Sequence, residues 1–215
     1  MMHRMAGIGT AWLARQLSHP RGVGGRLVGA ALNRDNRDTV TAAVEALDLQ
    51  AGEVALDIGF GGGVGLPVLL AAVGTAGRVH GVDISATMLA RASRAHRRDC
   101  SAGRLHLHAG SITGLPLDDG SIDAAMTVNT IYFVADLDLA FAEAARVLRP
   151  DGRFVVGIGD PVAMRKIPVV RHGFRVRPVT EVMDALARAG LHVIAHRRFG
   201  DSAAAPHRLL ARRLG

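Results

Sequence analysis

The stretch ALDIGFGGGVGLP, Ala55–Pro67, sets five glycines within seven residues, directly behind an apolar run. Glycine weakens helices and strands wherever its conformational freedom is not needed. A run this dense therefore marks a turn that the backbone or a ligand must occupy closely. The run VALDI ahead of it reads as a buried strand, and VGLPVLLAAV behind it as a helix. Strand, glycine turn and helix together expose backbone N–H groups to a ligand.

Outward from this unit the alternation repeats. RVHGVDI, RLHLHAG, SIDAAMTVN and RFVVGIGD read as further strands. SATMLARASRAHRR and DLDLAFAEAARVL read as helices, the second capped by Asp136 and stopped by a turn at Arg149-Pro150-Asp151-Gly152. Such alternation predicts an α/β fold, a mostly parallel sheet with helices on both faces. Ile122–Val128 and Phe154–Ile158 are almost continuously apolar, as strands covered on both sides must be. After a long connection, PVTEVMDALARAG reads as a helix between Pro178 and Gly190. LHVIAHRRF and HRLLARR then close the chain as two tandem strands, which predicts a hairpin and an antiparallel strand at the sheet edge.

The chain has 215 residues, a length that suits one domain with a short appendage. Residues 1–50 form the appendage, an N-terminal helical cap or lid; DTVTAAVEALDL within it reads as a helix. Residues 51–215 form the domain. Net charge is +7, carried by arginine with Lys166 as the sole lysine, a usage that reflects composition bias more than a nucleic-acid partner. The single cysteine, Cys100, excludes an intrachain disulfide and counts against a structural zinc site; it suits a reducing cytoplasm. No apolar run reaches the roughly 18 residues of a membrane span, and the N-terminus lacks the pattern of a signal peptide.

Spacing narrows the ligand. Asp83, at the end of the second strand, lies 20 positions beyond Gly63, the separation at which an acid commonly holds a ribose. The dinucleotide pattern G-x-G-x-x-G fails, because Val64 or Leu66 occupies its sixth position. The pattern present is D-x-G-x-G-x-G, formed by Asp57, Gly59, Gly61 and Gly63. A carboxylate at Asp57 would repel a pyrophosphate but suits a ligand bearing an ammonium group. Asp57, Asp83, Gly110, Asn129 and Asp160 each fall at the carboxyl end of an expected strand, the edge where open parallel sheets bind ligands.

VALDIGFGGGVG, the acid of HGVDIS, LPLDDGSIDAAMTVNTIYF and AEAARVLRPDGRFVVG, in this order, resemble the class I, Rossmann-like S-adenosylmethionine-dependent methyltransferases of the small-molecule branch. The resemblance covers roughly residues 48–190. It implies a seven-stranded sheet with the last strand antiparallel, and S-adenosylmethionine as cofactor. It further implies that Asp57, Gly59, Phe60, Gly61 and Gly63 meet the cofactor's methionine half. Asp83 would bind the ribose, Ile84 and the pair Ser111-Ile112 the adenine, and Asn129 the region of the sulfonium. Many relatives carry an aspartate where Ser111 stands.

The expected acceptor is a small organic molecule, methylated on N, O or C and specialised-metabolite or quinone-like in character. Methylation of a lipid headgroup amine and a non-catalytic binding role are the alternatives. The acceptor site is expected among the N-terminal cap, the region after Asn129 and the 160–177 connection. His172, Tyr132 and Asp160 are the candidate general bases. No proline follows Asn129 as an exocyclic-amine aligning turn would require, so nucleic acid is not the expected substrate; a homodimer is compatible with this reading. His106 and His108 alternate on one strand face and, without acidic or cysteine partners, read as a strand face and not a metal pair.

Overall fold

Strand β1 (Val54–Ile58) is buried at all five residues. A strand with no solvent face must be covered on both sides. Its side chains divide accordingly: Val54, Leu56 and Ile58 join one apolar cluster, and Ala55 joins the other. The structure, a computed structural model, describes residues 37–200 and 202–215. The expected cap over residues 1–50 lies outside the described residues up to residue 36; residues 37–46 form helix α1.

The order then runs α2 (Gly65–Ala72), β2 (Arg78–Asp83), α3 (Ala86–Ala95), α4 (Arg97–Ser101), β3 (Leu105–Ala109) and β4 (Ile122–Val128). A short 3-10 turn, Ile131–Phe133, leads to α5 (Leu137–Val147) and β5 (Leu148–Ile158). There follow α6 (Pro161–Arg165), α7 (Val179–Arg188), β6 (Leu191–Arg198) and β7 (His207–Arg213). The seven strands stand in the order β3-β2-β1-β4-β5-β7-β6. β1 lies parallel to both β2 and β4, so the chain reverses its direction of travel between β1 and β4. That switch point opens a crevice at the carboxyl ends of the two strands.

Helices α1, α2 and α3 cover one face, through Val44, Leu66, Leu69 and Met88; α5 and α7 cover the other, through Phe141, Ala144 and Leu186. Phe141 meets Phe154 of β5 edge-on, with ring centroids 6.0 Å apart. Asp136 caps α5 by accepting the Leu139 N–H at 3.0 Å, and Ser85 caps α3 at Met88.

One local feature differs from the sequence-based expectation. The Arg149–Gly152 turn does not separate α5 from β5. Strand pairing begins at Leu148, opposite Ile122, and resumes at Arg153, opposite Ala124. Residues 149–152 are thus a bulge, with Asp151 at φ 61° and Arg149 tied to Asp123. The expected hairpin closes that edge of the sheet, with β7 antiparallel to β5 on one side and to β6 on the other. The hairpin thereby satisfies both ladders of β7 and leaves β6 outermost. His106 and His108 pack with His80 of β2, whose Nδ1 lies 3.0 Å from His108 Nε2. Burial, then the neighbouring histidines, pushes His80 down to about 4.

Candidate active site

The glycine turn after β1 is built by three left-handed residues, Gly59 (φ 71°), Gly61 (φ 50°) and Gly63 (φ 78°). A side chain is barred at Gly59 by the protein itself: a Cβ there would stand 2.5 Å from Thr130 Oγ1. At Gly61, by contrast, a Cβ would make only an ordinary contact, 3.9 Å from Gly59 O, and the constraint is the backbone conformation. The density of glycine therefore has two causes, contact with the end of β4 and the curvature that turns N–H groups toward the cleft.

Asp83, at the end of β2, holds this turn. Its Oδ2 accepts the Gly61 N–H and its Oδ1 the Ser85 N–H, each at 2.8 Å. Burial raises its pKa, while these backbone donors pull it back down. Asp57 stands on the neighbouring strand, 4% exposed. Among the described residues it makes no ion pair. Burial, and secondarily the charge of Asp83, pushes it up to about 8. An uncompensated buried carboxylate is the complement of a cationic ligand.

Gly65, the first residue of α2, gives that carboxylate its space. A Cβ there would lie 2.4 Å from both Asp57 Oδ2 and Met126 Cε. Both neighbours are buried, so Gly65→Ala overpacks the crevice floor. The expected cost is about 1–3 kcal/mol, a fall in Tm of roughly 3–10 °C. Thermal unfolding reads it directly, and an unchanged melting curve would show that Asp57 can retreat freely.

Asn129, at the end of β4, also takes left-handed backbone geometry, with φ 56°. Its Oδ1 accepts the hydroxyl of Tyr132 at 3.3 Å, and that hydroxyl in turn accepts the Gly159 N–H. Tyr132 is thus a tie between the ends of β4 and β5. Burial pushes its phenol up to about 12.

These elements surround one cleft of about 600 Å³. Asp57, Gly59, Phe60, Gly61, Asp83, Ile84, Ser111, Ile112 and Asn129 all line it; Gly63 does not. Ile84 is half-exposed at its rim, as a surface for a flat ring would be. The Ser111 hydroxyl is engaged locally, 2.9 Å from Thr113 Oγ1. The rest of the lining is largely apolar: α1 gives Val40, close to Gly65 and Asp57, and the connection after β5 gives Met164, Ile167, Val169, Val170 and Phe174.

Of the three candidate bases, Tyr132 alone lines the cleft. Asp160 turns away to cap α6, accepting the N–H groups of Val162 and Ala163 at 3.0 and 2.9 Å, and lies 3.2 Å from His207 Nε2. The Ala163 N–H, then His207, hold its carboxyl below the usual range. His172 is half-buried just after the turn Pro168–Arg171, outside the lining. Sequence reasoning did not single out Gly65, Thr130, Met164 or Phe174. Gly65 stood within the glycine stretch; the others sit in segments without periodicity.

A family model described as a methyltransferase domain matches residues 56–156. Over 124 residues, 58% of this chain, the sequence is 44% identical to an uncharacterized 37.1 kDa protein in transposon TN4556 of Streptomyces fradiae, covering 35% of that protein. Over 112 residues, 52% of this chain, it is 34% identical to the 27-O-demethylrifamycin SV methyltransferase of Amycolatopsis mediterranei, covering 40% of it. The chain thus spans well under half the length of these two curated relatives. In fold it is similar to a SAM-dependent methyltransferase from Aquifex aeolicus, with a TM-score of 0.70, 21% identity, and coverage of 81% of this chain and 89% of that one.

Proposed function

We propose that the chain is a class I, Rossmann-like S-adenosylmethionine-dependent methyltransferase and that it methylates a small organic acceptor. The observation that carries this reading is the pair of buried carboxylates, Asp57 and Asp83, facing one cleft from adjacent strands around a glycine turn. They suit the two ends of the cofactor. The unpaired Asp57 complements the α-ammonium of its methionine half, and Asp83 has lone pairs left for ribose hydroxyls after meeting Gly61 and Ser85. Ile84 and Ile112 offer apolar surface to the adenine.

When bound, the cofactor supplies an activated methyl group on a sulfonium. The protein's contribution is then alignment, which can provide roughly 7–11 kcal/mol. The tie from Asn129 through Tyr132 to Gly159 fixes the floor between cofactor and acceptor halves. The apolar walls from the connection after β5 hold the acceptor and exclude water. Among the described residues no helix is long and apolar enough to cross a membrane.

Calorimetric titration with S-adenosylmethionine and with NADH tests the reading. Binding of the first and not the second is expected, because S-adenosylmethionine brings an ammonium to the buried Asp57, whereas a diphosphate brings none and adds negative charge beside Asp83. Release of S-adenosylhomocysteine across an acceptor panel then reads the activity. Failure to bind S-adenosylmethionine would overturn the proposal.

A further inference from the structure

Among the described residues the acceptor half of the cleft carries no charged side chain. Among the described residues the titratable groups lining the whole cleft are Asp57, Asp83 and Tyr132. Both carboxylates stand on the glycine-turn side, at the ends of β1 and β2. The Tyr132 hydroxyl is held between the Gly159 N–H and Asn129 Oδ1, so it has no vacant role as a proton acceptor. Asp160 is committed to α6 and His207, and His172 is outside the lining. Beside Tyr132 stands Phe174, with ring centroids 5.8 Å apart, and Met164, Val169, Val170 and Phe133 extend the apolar lining.

Such walls discriminate among acceptors by charge. Methyl transfer turns a sulfonium into a neutral thioether. A neutral alcohol would have to lose a proton that no described lining group is placed to take. An amine would leave its positive charge among apolar side chains, which is costly. An oxyanion cancels the sulfonium charge and yields two neutral products, the outcome that an apolar enclosure favours.

We infer that the acceptor is a lipophilic phenol or enol that binds as its own oxyanion and is methylated on oxygen without taking a base from the described cleft residues. The inference rests on the methyl-transfer reading above. An oxygen lone pair forms the new O–CH3 bond as the S–CH3 bond breaks, and that electron pair returns to sulfur. No proton moves in the step.

The test uses the full chain at saturating S-adenosylmethionine with lipophilic phenols of similar shape and graded acidity. Release of S-adenosylhomocysteine is followed against pH, and binding of the same phenols is measured by calorimetry. Binding is compared between the complex with sinefungin, whose side-chain ammonium stands in for the sulfonium, and that with neutral S-adenosylhomocysteine. The expected result is an inflection that follows each phenol's own pKa. Phenolates should also bind the sinefungin complex at least about tenfold more tightly. One fixed inflection across the series, equal affinity for both complexes, preference for lipophilic amines, or no binding of the phenols would each overturn the inference. Failure of both sinefungin and S-adenosylhomocysteine to bind would instead overturn the methyl-transfer reading.

Discussion

Asp83→Asn is expected to weaken S-adenosylhomocysteine binding by about 10²–10⁴-fold while leaving the protein folded. The carboxylate already serves two backbone donors, Gly61 N–H and Ser85 N–H, one on each oxygen. An amide has one accepting end. Whichever way it turns, its NH2 group faces a backbone N–H, and either the glycine turn or the start of α3 loses its anchor. The ribose loses its charged acceptor at the same moment. Hydrogen bonds to charged groups contribute about 1.5–3 kcal/mol each, so two of them account for about 3–6 kcal/mol of affinity. Stability moves less, because removing a buried charge offsets one lost backbone contact. Calorimetry on the variant, with circular dichroism as the folding control, decides the matter. An affinity within about threefold of the parent chain would remove Asp83 from the binding site.

The same residue shows what could be read from the sequence. Asp83 was visible because strand periodicity fixes where a strand ends, and chemistry gathers at the ends. The buried runs and the caps at Ser85 and Asp136 were legible for similar reasons: each depends on neighbours within one turn or one strand. What escaped is long-range. Asp160 sits at the expected sheet edge, but its carboxylate bends back onto its own helix and to His207, eleven strand and loop residues beyond β6's His196. The Gly59–Thr130 contact joins residues 71 positions apart. The bulge at 149–152 follows from the register of β4 against β5, which no local pattern encodes. The acceptor walls come from a connection without helical or strand period, so Met164 and Phe174 carried no signal.

Asp57 gives the second large effect, in the pH dependence of stability and of cofactor binding. Its folded pKa is raised from 3.8 to about 8, chiefly by burial. Between these values the folded chain keeps a proton that the unfolded chain has lost. Stability therefore falls as pH rises through this window, by about 1.4 kcal/mol per unit at its steepest, and levels off above about 8. Asp57→Asn removes this slope. The variant should match the parent near pH 4 and exceed it in Tm at pH 9. Binding responds in the opposite sense below pH 8. The pair that the site favours is an ionised Asp57 with a protonated amine, so S-adenosylmethionine must displace the Asp57 proton. Affinity should rise about tenfold per unit as pH approaches 8, and fall above it as the ligand's own α-amino group, with a pKa near 8, loses its charge. In Asp57→Asn the rising limb disappears and affinity drops at every pH. Titrations at pH 7 in buffers of different ionisation enthalpy should count close to one proton released by the parent chain and none by the variant. A parent chain that binds without releasing a proton, and whose stability does not change between pH 5 and 8, would show that Asp57 is already ionised and solvated, and the electrostatic account of the crevice would fail with it.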